Sequence, residues 1–230
     1  MAQKNLRRYN GTDFENAYQT LRENGVFRIR NGNPDTVDTE EMARIWNEHN
    51  CITIGVWGVL HRALPESTRK EAKDERVPFT PETLRDEYLD GKHIDWERLR
   101  DEIAEKIYDG NKASAGQARG SLEKFVDQVG RGSRILGITP YGTQFGIVED
   151  EVAYYDPEHA AIESGSDHTL VRQVRWLRDG YGDPIVIENE EEVLPEPLHP
   201  ARLTMTQVDE NDIESVIDAM VVLSFLGDKK

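Results

Sequence analysis

The sequence predicts an α+β fold, in which short strands form one curved sheet and helices pack around it. Three observations support this prediction. An apolar strand is expected at residues 51 to 56, the charged residues 60 to 110 have helical spacing of their apolar side chains, and the period changes to short alternating strands after Gly132. Helices and strands that occupy separate parts of a chain, instead of alternating regularly, are typical of α+β proteins.

Helix starts are marked by side chains that can accept the first free backbone N–H groups. These starts are predicted at Thr12, Thr80, Asp95 and Ser114, the last in a capping box with Gln117. A further helix is expected at residues 38 to 48. Residues 209 to 226 close the chain with apolar side chains at helical spacing, which predicts an amphipathic final helix.

The strands after Gly132 are predicted from alternation and turn residues. They fall at residues 134–139, 144–148, 152–155, 171–177 and 185–187. Tyr154 and Tyr155 are adjacent on one of these strands, so their rings must point to opposite faces.

The chain is strongly acidic. Its 44 acidic and 28 basic residues give a formal net charge of −16, and arginine outnumbers lysine. Such an acidic, lysine-poor surface is expected of a protein that works in concentrated salt, where the self-repulsion of its charges is screened. We therefore expect a protein of a halophilic archaeon; an ordinary acidic cytosolic protein is the alternative. No apolar run approaches the length of a membrane span, so we expect the protein to be cytoplasmic. In a halophile net acidity does not exclude a nucleic-acid partner.

Catalytic and metal-binding motifs are not evident in the sequence. Cys51 is the only cysteine and lies in an apolar strand, which predicts a buried, inert thiol. The six histidines form no metal-binding pair of the usual spacing, and neither a phosphate loop nor a nucleophile elbow is present. We expect no metal and no cofactor, and consider catalysis the less favoured reading.

Aromatic and glycine residues recur in a particular order. A strand ends in Gly55-Val56-Trp57, a helical insert leads to Asn111, and a helix and a glycine turn precede strands that carry Tyr154-Tyr155 and Trp176. This order resembles the PUA-like superfamily, on the side of its EVE and YTH modified-base readers, some of which accompany modification-dependent restriction enzymes. The resemblance covers about residues 50 to 178. It implies a small curved β-barrel or sheet with flanking helices and a pocket for an extruded base.

The resemblance also implies roles for individual residues. Trp57, one of Tyr154 and Tyr155, and Trp176 would provide the aromatic walls, although Trp176 also fits a core position. Asn111 and Ser114 would face the edge of the base. Stacking on an aromatic ring contributes about 1–3 kcal/mol per base. The edge needs a few fixed donors and acceptors, which Asn111, Thr53, Ser114 and backbone groups could supply.

A local excess of positive charge lies beside these residues. Residues 112 to 134 carry five basic and two acidic side chains, and Arg172, Arg175 and Arg178 follow. Lys112, Arg119 and Arg134 are the predicted phosphate contacts. An ordinary solvated helix face with ion pairs would give the same pattern.

The preferred function is recognition of a modified or extruded base in DNA or RNA without catalysis. The partners would be nucleic acid and a nuclease or another defence-system protein. Two alternatives remain open: a small hydrolase or nuclease that uses carboxylates and His168, and an interaction module that docks through the C-terminal helix. We expect one domain over residues 1–230, in which residues 1–50 and 200–230 elaborate the core.

Overall fold

The computed structural model describes residues 25–32, 38–159, 167–178, 181–187, 204–209 and 212. The α-helices are α1 (Thr39–Glu48), α2 (Trp57–Ala63), α3 (Glu66–Glu71), α4 (Trp96–Ile107) and α5 (Lys112–Glu123), with a π-turn at Lys124–Gln128. The strands are β1 (Val26–Arg30), β2 (Cys51–Ile54), β3 (Val77–Pro78), β4 (Leu89–Asp90), β5 (His93–Ile94), β6 (Arg134–Thr139), β7 (Gly142–Val148), β8 (Tyr154–Tyr155), β9 (Leu170–Trp176), β10 (Val186–Ile187) and β11 (Met205–Gln207).

The fold is α+β, as predicted, and it is built on one large mixed sheet. The strand order is β11-β1-β6-β7-β9-β8-β3, with β2 paired to β9 and β10 paired to β7. Strands β1 and β6 run parallel, whereas the other pairs are antiparallel. Within the described residues the sheet stays open and does not close into a barrel. The hairpin of β4 and β5 stands apart from it.

The centre of the core is a pair of tryptophans between α1 and the sheet. Trp46 of α1 and Trp176 of β9 stack with ring centroids 6.2 Å apart. Trp176 Nε1 donates to the carbonyl oxygen of Trp46 at 3.0 Å. The rings fit because Gly137 of β6 and Gly146 of β7 present no side chain beneath them. Helix α1 is thereby fixed across the middle strands of the sheet.

The predicted helix starts have mixed outcomes. Asp95 caps α4 as expected, because its carboxylate accepts from Arg98 N at 2.9 Å. The prediction at Ser114 is wrong: Asn111 is the capping residue of α5 and accepts from the backbone of both Ala113 and Ser114. The helix begins three residues earlier than predicted, because the side chain of Asn111 accepts the hydrogen bonds of the first free backbone N–H groups. Thr80 starts only a short 3₁₀ turn, Pro81–Thr83.

Residues 60 to 110 are less helical than predicted. The interval contains β3, two 3₁₀ turns and the β4–β5 hairpin besides its helices. The helices predicted after Thr12 and at residues 209 to 226 lie outside the described residues, apart from isolated positions. The single-domain assignment remains a prediction. No helix in the described ranges combines the length and apolar character needed to cross a bilayer.

Candidate functional site

Three neighbouring strands bring one group of sequence-predicted residues together at the end of β2. Ile54 of β2 pairs with Leu170 of β9, which pairs on its other side with Tyr155 of β8. The residues that precede β9 therefore lie beside the point where β2 ends. We call the polar side chains gathered there the β2-end cluster: Thr53, His61, Tyr155, His168 and Thr169.

The chain leaves β2 through a turn that requires glycine. Strand β2 ends at Ile54, two residues earlier than predicted, and Gly55 has a φ of 153°. A Cβ atom at Gly55 would lie 3.1 Å from Thr169 N, so the two backbones approach too closely for a side chain. Helix α2 then begins at Trp57. The backbone of Trp57 thus lies near the cluster, while its side chain lies outside what the structure describes.

A buried hydrogen-bond chain links the core to His168. Trp46 Nε1 donates to Thr53 Oγ1 at 3.0 Å, and Thr53 Oγ1 lies 3.2 Å from His168 Nδ1. Burial, with a smaller contribution from His159, lowers the pKa of His168 to about 4. The imidazole is therefore neutral at pH 7. His168 lies two residues before β9 begins and is buried, so its ring is not presented to a phosphate group at the surface.

Tyr155 is a core residue whose hydroxyl group holds His61. Its side chain is fully buried, and the hydroxyl oxygen lies 2.8 Å from His61 Nδ1 of α2. Burial, and then the charges of Arg69, Lys73 and Arg62, lower the pKa of His61. The bond ties α2 to β8 and leaves the tyrosine ring no exposed face for stacking.

Thr169 carries a buried hydroxyl group that lacks a partner among the described residues. The residue is fully buried, yet its Oγ1 makes no hydrogen bond there. Thr143 of β7 is also fully buried with an unpartnered hydroxyl. Leaving such a group unpaired costs about 1–3 kcal/mol, so each hydroxyl needs an explanation. Only Thr169 lies beside the Gly55 turn and the residues predicted to bind a ligand.

We expect Thr53→Val to destabilise the protein by about 1–3 kcal/mol, because the indole N–H of Trp46 and a ring nitrogen of His168 lose their shared partner. Valine keeps the shape of threonine, so packing changes little. Urea unfolding measures the effect. Thr143→Val is the matched control, and we expect it to leave the stability unchanged or to raise it. Equal losses in both variants would contradict the hydrogen-bond chain.

The predicted edge-reading residues lie at the junction of α4 and α5. The side chain of Asn111 is exposed, and its oxygen is occupied by the helix cap. Its backbone N–H donates to the carbonyl oxygen of Tyr108 at 2.8 Å. Burial, followed by the charge of Asp167, raises the pKa of Tyr108. Asp167, whose charge acts on Tyr108, immediately precedes His168 of the β2-end cluster, and the sequence did not indicate this link.

The predicted phosphate contacts differ in availability. Lys112 is exposed, and its ammonium group is 3.8 Å from the Asp101 carboxylate. Arg119 is paired with both Glu97 and Glu123. Arg134 is half-buried and donates to the carbonyl oxygen of Gly132, and burial, more than the nearby charge of Arg175, lowers its pKa. Of the three, Lys112 has the largest exposed fraction.

The remaining basic side chains do not form a continuous free strip. Arg172 is fully buried and bonded to backbone carbonyl groups. Arg131 pairs with Glu151 and Arg175 with Glu149, while Arg178 donates to Asn47 O. The local positive charge is thus largely that of a helix and sheet surface with ordinary ion pairs, the second of the two readings of the sequence.

The other aromatic candidates lie away from open space. Trp176 is 4% exposed and fills the core against Trp46. It touches a small concavity of about 80 Å³ between β7 and β9, well below the roughly 300 Å³ of ordinary ligand pockets. Tyr154 is half-buried, and the guanidinium group of Arg76 covers one face of its ring at 4.6 Å.

Two larger grooves elsewhere on the described surface are acidic. One, of about 580 Å³, lies along α1 and is bordered by Tyr141 and Pro184. The other, of about 530 Å³, lies along the first turns of α4. Carboxylates dominate the lining of both, which makes them unsuitable for phosphate groups.

Catalytic chemistry gains no support from the described residues. Burial raises the pKa of the Cys51 thiol to about 12, which agrees with an inert cysteine. No group of three or more histidine, cysteine or acidic side chains in the described part could hold a metal ion. The carboxylates and His168 of the hydrolase alternative are not assembled into a common site there, since His168 is buried in the β2-end cluster.

Two members of this cluster were missed by the sequence analysis. Nothing local distinguishes Thr169 or His61 from other polar residues, because their roles depend on partners in distant strands. Comparison with models of known protein families gives no match for this chain, and comparison with curated proteins gives none either.

Proposed function

We propose that the protein binds nucleic acid without catalysis and holds an extruded, modified base at the end of β2. The observation that carries this proposal is the buried, unpartnered hydroxyl group of Thr169. It lies next to a turn where only glycine fits and near the start of α2, at Trp57. A ligand that donates to or accepts from this hydroxyl would remove the cost of leaving it unpaired.

A nucleobase suits this position for physical reasons. Its edge offers donors and acceptors to Thr169 and to the amide nitrogen of Asn111, while its flat face can stack on an indole such as that of Trp57. Asn111 caps α5 through its amide oxygen, so its amide nitrogen is not used by the cap. In this proposal the sheet around β6, β7, β9 and β8 corresponds to the curved sheet of PUA-like readers, opened rather than closed.

The charges of the described residues limit how the nucleic acid is held. Lys112 is the predicted cation best placed to meet a phosphate, since Arg119 and Arg134 are already engaged. Each neutralised phosphate contributes about −0.9 to the slope of log K against log salt concentration. We therefore expect a shallow salt dependence, which would allow binding in concentrated salt.

The decisive variant is Thr169→Val, tested with the full chain and methylated or unmodified oligonucleotides in high salt. We expect affinity for the preferred oligonucleotide to fall about tenfold, the value of one hydrogen bond of roughly 1.4 kcal/mol. The folded protein should be no less stable, because a buried unpaired hydroxyl group is removed. Fluorescence anisotropy measures affinity, and urea unfolding measures stability.

Thr143→Val is the matched control, since its hydroxyl group is equally buried and unpartnered but lies on β7. It should leave affinity unchanged. Trp57→Ala tests the stacking partner and should weaken binding by a further factor of ten or more. Absence of binding by the unaltered protein to every oligonucleotide would defeat the proposal, as would Thr169→Val and Thr143→Val behaving alike.

A further inference from the structure

We propose that His159 and His168 form an acid-labile clamp that fastens residues 156–159, which follow β8, and residues 167–169, which precede β9, onto one face of β2. His159 lies against Cys51, and His168 lies against Thr53. Cys51 and Thr53 are two residues apart on a strand, so their side chains point to the same face. The clamp therefore has two imidazole groups that dock side by side on β2.

The contacts of both histidines are buried. His159 Nε2 lies 3.7 Å from Cys51 Sγ, and His168 Nδ1 lies 3.2 Å from Thr53 Oγ1. Their side chains are 8% and 7% exposed. Behind His168, Trp46 fixes the position of Thr53 through its indole N–H. Cys51 Sγ and Thr53 Oγ1 are uncharged groups, so these two contacts suit neutral imidazole rings.

The charged and titratable surroundings of His159 do not favour its protonated form. His49, at the end of α1, has its ring centroid 5.5 Å from that of His159. Burial lowers the pKa of His159; the charge of Asp156 opposes this shift, and those of His49 and Arg76 add to it. The Cys51 thiol, whose pKa is raised, remains uncharged.

His168 has the more severe surroundings. Burial and the neighbouring His159 lower its pKa to about 4, from an ordinary value of 6.5. Since protons bind more tightly when the clamp is open, acid favours opening. The closed clamp is therefore most stable above pH 6.5, where the rings are neutral in both the open and the closed form. It loses stability as the pH falls from 6.5 towards 4, because the open form then binds more protons. His168 and His159 are linked, because protonation of either disfavours protonation of the other in the closed form.

The clamp rests on the contacts of His159 with Cys51 and of His168 with Thr53, and it does not depend on the proposed ligand. It has one consequence for that ligand, which does rest on the proposed function: Thr169 follows His168, so opening displaces its hydroxyl group from the Gly55 turn. Acid would then release a bound base before the rest of the fold unfolds.

Hydrogen exchange of the full chain in high salt tests the clamp without any substitution. The reporters are the Asp156 N–H, which donates to Thr169 O at 2.9 Å, and the amides that pair β2 with the start of β9. After correction for intrinsic exchange, we expect their protection to fall about 30-fold between pH 7.5 and pH 5 from His168 alone. Amides that pair β6 with β7 should change less than threefold.

Substitutions then assign the effect. His168→Gln should remove most of the pH response of these amides, and His93→Gln, at an exposed position in the β4–β5 hairpin, should leave it intact. Unchanged protection of the reporters at pH 5 would overturn the clamp. An equal loss of protection in β6 and β7 would also overturn it, because that result describes global unfolding. Acid release of oligonucleotide, measured separately, bears only on the consequence for the ligand.

Discussion

Arg172→Met is expected to lower the free energy of unfolding by about 3–5 kcal/mol, although the sequence places this arginine among surface cations. Arg172 is fully buried. Its Nε donates to Phe125 O at 2.9 Å, and its Nη2 donates to Val126 O at 3.1 Å. A longer contact of 3.4 Å joins Nη1 to Asp150 O. Methionine fills similar space but donates to none of these oxygens.

The size of this effect follows from what the guanidinium group joins. Phe125 and Val126 belong to the π-turn at the end of α5, where carbonyl groups lack partners within the helix. Each buried carbonyl group left without a donor costs about 1–3 kcal/mol. Burial lowers the pKa of Arg172 to about 10, partly offset by Asp150 and other acidic neighbours, so it stays charged at neutral pH. Relief of that buried charge is why the expected cost is below the sum of three lost bonds.

Urea unfolding in high salt measures the loss, with Arg175→Met as the matched control. Arg175 lies three residues further along β9, is 68% exposed in its side chain and pairs with Glu149. Surface pairs of this kind contribute about 0–1 kcal/mol, so the control should be nearly neutral. Similar small effects in both variants would show that Arg172 does not hold the π-turn.

The arginines of β9 show which features could be predicted from the sequence and which could not. Alternation placed Arg172 and Arg175 on one strand and correctly predicted β9. It did not reveal that Arg172 meets carbonyl groups 46 and 47 residues earlier in the chain. A local pattern reports the period of the backbone, whereas the partner of a buried cation is set by tertiary structure.

At the candidate site, too, the sequence predicted a local element but not its long-range contacts, as the end of β2 shows. The apolar run predicted a strand at residues 51 to 56, and β2 is present from Cys51 to Ile54. The strand still ends before Val56, because Gly55 adopts a positive φ and packs against the backbone of Thr169. That contact spans more than a hundred residues, so the sequence could indicate Trp57 and Tyr155 but not Thr169 and His61 beside them.

Gly146→Ala is expected to lower the free energy of unfolding by about 3 kcal/mol or more. A Cβ atom at Gly146 would lie 2.3 Å from Val174 Cγ1 and 2.8 Å from Trp176 Cε3. Trp176 cannot move far, because its ring stacks on Trp46 and already packs over the Cα atom of Gly137. Overpacking of a filled core commonly costs about 1–3 kcal/mol, and here two side chains must move together.

A matched alanine substitution should have the opposite sign. Gly116 lies inside α5, and a Cβ atom there would meet nothing within 4 Å. Gly116→Ala is therefore expected to stabilise the protein by up to about 1 kcal/mol, the difference in helix propensity between the two residues. Thermal or urea unfolding of both variants measures the contrast.

A second substitution separates the clash from backbone effects. Val174→Ala removes the methyl group nearest to the new Cβ, so we expect Gly146→Ala to cost less in that background than alone. The difference is a coupling free energy, because the two residues are in contact. Strict additivity of the two losses would show that contact with the Val174 side chain is not the cause of the effect. A smaller loss in the Val174→Ala background would establish that the side chain of Val174, 2.3 Å from the added Cβ, is one reason why glycine is required at this position of β7.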